Sequence, residues 1–339
     1  MMSGSEKKIF RVALVGCGVI SGTHLDAILA AGQTVVALCD TDVRKAEALA
    51  AKKGLSGIAV FTDYETMLNV VRPDVVHICT PHDLHVPMTV AALKRNIHVL
   101  CEKPLAISQE ELREVLAAER ESTALLGVCH QNRYEPNMRR LKEMTETDRP
   151  VAGYANVVWK RDAAYYASGA WRGTKAHEGG GVLINQALHT MDLMQWAFGM
   201  PEAVTAHLSN DFHKGKIEVE DLAACTFEGE NGVRWQFFAA TSGTADFPVQ
   251  VNVRLASGQL IEAMNHQFTV DHRLLSGDDD AGSGKWVWGD GHKALIADFY
   301  DHIAKGIPFW LNGGEGAKVV RMILAAYRSA GGRTRITEE

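Results

Sequence analysis

The chain lacks several features that would have fixed its class at once. Its six cysteines, Cys17, Cys39, Cys79, Cys101, Cys129 and Cys225, include no C-x-x-C pair. A structural zinc site is therefore not expected, nor any other metal. Most of these cysteines end short apolar runs, where a thiol acts as a small buried hydrophobe, which fits a reducing compartment. No stretch approaches the roughly 20 apolar residues of a membrane span. The opening MMSGSEKK is basic, but the run behind it is broken by Arg11 and has no small-residue cleavage site. No signal peptide is read there, and a cytoplasmic protein is expected. Positive charge is not in excess either: 35 lysines and arginines face 41 acidic residues, a formal charge of −6. Nucleic acid and membrane surfaces are thus not expected as partners.

What is present is ordinary for a folded protein. An apolar fraction of 46% with 22% charged residues excludes disorder as the main state. The length of 339 residues suits about two domains. Aromatics are few, at 7%, while glycines number 31, which points to close turns and ligand loops.

Short β-branched runs at Ile9–Val15, Thr34–Cys39, Ala59–Phe61, Val75–Cys79, Ile97–Cys101 and Ala124–Cys129 alternate with helical periodicity, as at Val43–Lys53, Val86–Arg95 and Ser108–Glu121. Near-continuous apolar strands between helices predict a doubly wound parallel sheet over residues 1–130. The pattern then changes. Ala152–Lys160, Ala203–Asn210, Asp221–Phe227, Val233–Thr241 and Val249–Ala256 read as longer strands of an antiparallel sheet, with EGENGV as a hairpin turn. Gly181–Phe198, Lys293–Lys305 and Glu315–Ser329 read as helices, and Ser276–Gly291 as a surface loop. Residues 131–339 are therefore expected to form an α+β domain whose last helices pack back on the first.

The strand ending at Val15 runs into Gly16-Cys17-Gly18-Val19-Ile20-Ser21 and then an amphipathic segment. This is G-x-G-x-x followed by a small residue, between strand and helix, as dinucleotide binding requires. Gly16 permits the turn, Gly18 lets a pyrophosphate approach, and Val19 and Ile20 lead it onto the helix N-terminus. Asp40 lies 24 positions after Gly16, at the end of the second strand, where a carboxylate accepts ribose hydroxyls and repels a 2′-phosphate. NAD is expected over NADP, although neighbouring Arg44 blurs that preference. A helix cap is the plainer alternative for Asp40.

Two further motifs carry chemistry. Glu102-Lys103-Pro104 follows the fifth strand, which points Lys103 at the cofactor crevice; Pro104 suits a cis bond. Such a tripeptide is otherwise an ordinary turn. In Gly179–Asp192, Asn185 and His189 are four apart, which predicts one shared helix face with Asp192 three residues on. Histidine is the usual general base near neutral pH, and an adjacent amide can orient an alcohol. The alternative is a satisfied core histidine beside a polar cap.

Together, GCGVIS at 16–21, CTPHDLH at Cys79–His85, CEKPLA at Cys101–Ala106, QNRYEP at Gln131–Pro136, WRGT at Trp171–Thr174 and GGGVLINQALHTMD at Gly179–Asp192 resemble the Gfo/Idh/MocA family. The resemblance runs from about Ile9 to Arg333. It implies an NAD(P)-dependent dehydrogenase or reductase of sugars, inositols and related polyols. It also implies an open antiparallel sheet that builds a homodimer or homotetramer. By position, Lys103 matches the lysine that touches both the reacting hydroxyl and the nicotinamide side, and His189 the acid/base histidine. Thr80, His82, His85 and Glu102 fall where relatives line the cofactor, and Arg172 reaches it from the second domain. Asn132, Trp171 and Tyr165 or Tyr166 are candidates for the substrate wall. Many polyol dehydrogenases of this group carry aspartate where this chain has Asn185, so an inositol substrate is not assumed. Trp286 and Trp288 are candidates for recognition or for an oligomer interface.

The reading is reversible oxidation of a secondary alcohol on a sugar-like ring, with hydride passing to nicotinamide C4. His189, assisted by Lys103, takes the hydroxyl proton and Asn185 holds the oxygen. Two alternatives stay open: redox-neutral glycoside hydrolysis with tightly held NAD, and a non-catalytic dinucleotide-binding regulator.

Overall fold

Near-continuous apolar runs can be buried only where a sheet is covered on both faces, and the first sheet of the molecule is of that kind. The structure, a computed structural model, describes residues 8–264, 267–277 and 291–337. Its first half alternates β1 (Arg11–Val15), α1 (Ser21–Ala30), β2 (Thr34–Cys39), α2 (Val43–Lys52), β3 (Ala59–Phe61), α3 (Tyr64–Val71), β4 (Val75–Ile78), α4 (His85–Leu93), β5 (His98–Cys101), α5 (Gln109–Glu121) and β6 (Leu126–Val128). The six strands are parallel in the order β3-β2-β1-β4-β5-β6. Val12, Ala13 and Leu14 of β1 are fully buried. The order reverses between β1 and β4, which opens a crevice beyond the carboxyl ends of these strands.

The second half comprises α6 (Pro136–Thr147), β7 (Pro150–Val158), α7 (Ala163–Ala167), α8 (Lys175–Glu178), α9 (Leu188–Phe198), β8 (Ala203–Ser209), β9 (Leu222–Glu228), β10 (Arg234–Ala240), β11 (Gln250–Leu255), β12 (Leu260–Met264), β13 (Gln267–Val270), β14 (Arg273–Ser276), α10 (Gly291–Lys305), α11 (Gly313–Ser329) and β15 (Thr334–Arg335). Its nine-stranded sheet has the order β14-β13-β12-β11-β7-β10-β9-β8-β15. The expectation of an antiparallel sheet needs one correction, since β7 and β10 pair in parallel. A parallel pair needs a long crossover, and the helices and strands between Val158 and Arg234 supply one. The EGENGV segment does join an antiparallel pair, β9 and β10. Asn231 (φ 57°) and Gly232 (φ 76°) adopt the left-handed conformations such a turn demands.

The chain forms two compact units. One comprises Met1–Leu105, Glu111–Cys129 and His292–Glu315, the other Ala106–Glu110, His130–Gly291 and Gly316–Glu339. A single division at residue 130 therefore does not describe the molecule: nearly all of α10 belongs with the parallel sheet, and most of α11 with the mixed one.

In the second unit α9 lies on β7 and on α6. Alternation on β10 turns Trp235 and Phe237 inward, both 1% exposed, and leaves Phe238 on the opposite face, 40% exposed. At Gly153 of β7 an added Cβ would stand 2.5 Å from the Asn252 carbonyl and 2.8 Å from the Phe198 ring of α9. The helix rests on the sheet where a side chain is missing. A Gly153→Ala substitution is expected to cost about 1–3 kcal/mol by overpacking, read as a lower urea midpoint at unchanged denaturant slope.

Candidate active site

The turn after β1 is pressed against the end of β4. Gly16 has φ +86°, and a Cβ there would meet the Cys79 carbonyl oxygen at 2.5 Å, whereas Gly18 faces open space. Val19 is 85% exposed. Ile20 caps α1 with its backbone only and offers no side-chain acceptor to the first turn, which leaves that helix end suited to an anion. Ser21 is fully buried and its hydroxyl donates to the Gly18 carbonyl, so the small residue packs as expected.

Asp40 braces this turn. Its Oδ2 accepts the Cys17 amide at 2.8 Å and its Oδ1 the Asp42 amide at 2.9 Å. The helix-capping role belongs to Asp42, which accepts the Arg44 amide at 3.1 Å and pairs with the Arg44 guanidinium at 2.9 Å. Each Asp40 oxygen keeps a lone pair for a further donor. Arg44 is exposed and held on Asp42.

The loops after β4 and β5 complete the row. Thr80 Oγ1 is buried and has no hydrogen-bond partner among the described residues, an atom ready for a ligand. His82 is buried beside it. His85 departs from expectation: it is fully buried, with Nδ1 2.6 Å from the Pro104 carbonyl and Nε2 3.0 Å from that of Thr80. It ties the two loops together and leaves neither ring nitrogen for a cofactor. Glu102 also turns inward, its carboxylate 2.9 Å from His24 Nε2. Lys103 is half-buried at the same turn, and the Lys103–Pro104 bond is cis. An open Gly18, an orphaned Thr80 hydroxyl and an uncapped helix end together fit a dinucleotide.

The remaining candidates stand in the second unit. The predicted helix over Gly181–Phe198 begins only at Leu188, so Asn185 and His189 do not share a helix face. Three glycines and close packing explain the late start. The Gly181 amide bonds the buried Glu220 carboxylate at 2.8 Å, that of Leu183 at 3.0 Å, and the Val182 amide the Glu220 carbonyl at 3.0 Å. These bonds hold residues 182–187 as a series of turns. Asn185 donates to Glu178 and lies 3.3 Å from Tyr165 Oη. His189, 7% exposed, has Nε2 3.4 Å from the Gln131 side-chain nitrogen. Asp192 does not join it. That carboxylate is clamped by Arg133 at 2.7 and 2.8 Å with His130 at 3.5 Å. Burial alone would raise its pKa; Arg133 and His130 bring it below the usual range.

Tyr165 gathers several groups. Its hydroxyl receives Gln186 at 2.9 Å and the Arg172 guanidinium, which stacks on Tyr165 and Trp171 at 4.4 and 4.5 Å. Tyr166 points instead at Thr241, 3.2 Å away, and Asn132 lies half-buried in the short turn before α6. Trp286 and Trp288 lie outside the described residues. Gln186, Glu178 and Glu220 went unnoticed in the sequence. Gln186 stands beside Asn185 and was legible as part of an amide pair, whereas nothing local marks Glu178 or Glu220, which act on backbone far along the chain.

Known proteins resemble the chain over the same regions. Residues 10–130 match the model of the Gfo/Idh/MocA oxidoreductase family, NAD-binding Rossmann fold, and 137–261 match the C-terminal domain model of that family. The 1,5-anhydro-D-fructose reductase of Ensifer adhaerens is 31% identical, over 68% of this chain and 69% of its own length. The D-glucoside 3-dehydrogenase of Escherichia coli (strain K12) is 26% identical over 99% of both chains. Among solved structures, the WlbA dehydrogenase from Bordetella pertussis in complex with NADH and UDP-GlcNAcA superposes with a TM-score of 0.85, at 25% identity, over 98% of this chain and 100% of its own.

Glu220 generates a pH prediction. Burial raises its pKa from 4.5 to about 7, partly offset by the Leu183 and Gly181 amides and the Tyr327 hydroxyl. The folded state therefore binds a proton more tightly than the unfolded chain, and stability falls as pH rises from about 4.5 to about 7. In Glu220→Gln this contribution, on the order of 3 kcal/mol, disappears. Urea unfolding at pH 5 and pH 8 should show a larger pH loss for the wild type than for the variant.

Proposed function

The chain belongs to the Gfo/Idh/MocA oxidoreductase family, and from that premise we propose that this NAD-dependent enzyme of sugars and polyols oxidises a secondary alcohol on a sugar-like ring, using Lys103 and His189. The observation that carries the reading is the row of loops at the carboxyl ends of β1, β4 and β5. The Gly16–Ile20 turn, Thr80 and Lys103 occupy it in succession, where an open α/β sheet takes its ligand.

Gly18 and the first turn of α1 receive the pyrophosphate, and Asp40 the adenosine ribose, which favours NAD over NADP. When bound, NAD supplies the hydride acceptor. Lys103 donates a hydrogen bond to the reacting hydroxyl and favours its alkoxide. His189 takes the hydroxyl proton and returns it in the reverse direction. Asn185 orients the alcohol; as a neutral amide it adds no charge that would stabilise an imidazolium. Tyr165, with Arg172 and Trp171 stacked around it, and Asn132 form the substrate wall. The relatives' activities on glucosides and anhydrosugars support this class of substrate.

Support for self-association comes from the outer face of the mixed sheet. Tyr154, Phe238 and Phe247 are 40–47% exposed there and line one groove with His207, Thr226 and Gln236. An apolar patch on an open sheet suits a second copy of the chain, and a homodimer or homotetramer is the assembly we favour. No helix among the described residues is long and apolar enough to cross a membrane. All six cysteines are buried and unbridged, which supports a reducing, cytoplasmic setting.

The function is tested by NADH formation across free sugars, inositols, anhydrosugars and UDP-sugars. On the substrate so found, Lys103→Ala and His189→Ala should each lower kcat/KM by about 10²–10⁴. Full turnover by the double variant would refute the assignment. For the assembly, light scattering should report an oligomer for the wild type and a smaller species for Phe238→Glu.

A further inference from the structure

Behind the turn that carries Lys103, the first unit holds a file of buried polar groups the proposed reaction leaves unused. Tyr300 Oη lies 2.8 Å from His77 Nε2, His77 Nδ1 lies 2.8 Å from His24 Nδ1, and His24 Nε2 lies 2.9 Å from Glu102 Oε1. His292 Nε2 approaches that oxygen at 3.4 Å. The three histidines are at most 1% exposed. They come from α1, β4 and α10, so the helix that follows the dinucleotide turn is tied directly to the residue before Lys103.

The polarity of this file follows from its end. An ionised carboxylate only accepts hydrogen bonds. His24 therefore carries its proton on Nε2 and accepts at Nδ1. His77 then carries its proton on Nδ1 and accepts the Tyr300 hydroxyl at Nε2. Every contact from Tyr300 to Glu102 is satisfied with both rings neutral and the Glu102 carboxylate ionised. Burial lowers both histidines, which agrees with neutral rings. Burial would raise Glu102, but His24 and His292 bring it well below the usual carboxylate range. Its second oxygen accepts the Lys103 amide at 3.2 Å.

His24, Glu102 and His292 also offer three donor atoms within 4.8 Å of one another. The 2.9 Å approach of His24 to Glu102 is a hydrogen-bond length. It is shorter than the roughly 3.3 Å separation of ligand atoms that zinc bonds of 2.0–2.1 Å would impose. His24 and Glu102 are therefore spaced as a hydrogen-bonded pair.

We infer that Glu102 selects the redox state of the cofactor: it is a fixed, buried anion beneath the β5 turn that favours the positively charged, oxidised nicotinamide over the neutral reduced ring. The inference rests on the reading that NAD occupies the crevice beyond β1, β4 and β5. A charge held in a poorly screened interior acts over several ångströms, and one already oriented needs no rearrangement when the ligand's charge changes. The histidines and Tyr300 serve as positioning residues that keep the carboxylate ionised and still.

The test is binding, not turnover. NAD⁺, NADH and ADP-ribose are titrated into the full-length wild type, Glu102→Gln and Glu102→Asp. In Glu102→Gln the ratio Kd(NAD⁺)/Kd(NADH) should rise roughly five- to tenfold, with ADP-ribose affinity unchanged. Glu102→Asp keeps the charge and should hold the ratio within about twofold of wild type. Glu102→Leu supplies the same measurement where the glutamine amide, facing the Lys103 N–H, disturbs packing. An unmoved ratio in a charge-free variant that still binds ADP-ribose overturns the inference and leaves the NAD reading standing. A wild type that binds none of the three ligands overturns the crevice reading and the inference with it. Stoichiometric zinc in the isolated protein, lost in Glu102→Gln, also overturns it, because a cation there would cancel the charge.

Discussion

Gly16 is the position on which the dinucleotide crevice depends. With no side chain, its backbone lies so close to the end of β4 that a methyl group would sit 2.5 Å from the Cys79 carbonyl. That approach brings the first turn of α1 beside the loop bearing Thr80. It also brings His24, the fourth residue of that helix, within 2.8 Å of His77 on β4. The ligand turn and the buried polar file are two results of one close approach between neighbouring strands.

The second unit solves a different problem, the control of a segment with little intrinsic order. Gly179, Gly180 and Gly181 allow close packing but specify no conformation by themselves. A Cβ on Gly180 would collide with Tyr327 and one on Gly181 with the Glu220 backbone. The Glu220 carboxylate then accepts the Gly181 and Leu183 amides, and Glu178 takes the Asn185 side chain. Two buried acids thus arrange the turns that present Asn185 just ahead of α9.

Much of this was legible in the sequence, for identifiable reasons. The parallel sheet declared itself because a strand buried on both faces must be apolar throughout, as Val12–Val15 is. The Gly16–Ile20 turn was readable because its steric demand leaves a glycine signature. Asn185 was misplaced because the periodicity of VLINQALHTMD is helical, whereas backbone bonds to Glu220 keep the helix from starting before Leu188. The inward turn of Glu102 was hidden as well. Its partners, His24 and His292, lie 78 and 190 residues away along the chain, and no local pattern joins such positions. The parallel β7–β10 pair escaped for the same reason, since alternation marks a strand but not the direction of its neighbour.

The return of residues 292–315 to the parallel-sheet unit means that the nucleotide half of the molecule is not a continuous stretch of gene. Phe299, Phe309 and Leu311 are essentially fully buried, Phe299 reaches the β6 glycine, Gly127, and the Leu311 carbonyl accepts the Val128 amide at 2.9 Å. A polypeptide released after residue 130 would leave that edge of its sheet uncovered and His77 without its tyrosine. Synthesis must therefore reach about residue 315 before the first unit can close, and evolution cannot exchange the two units by a single crossover.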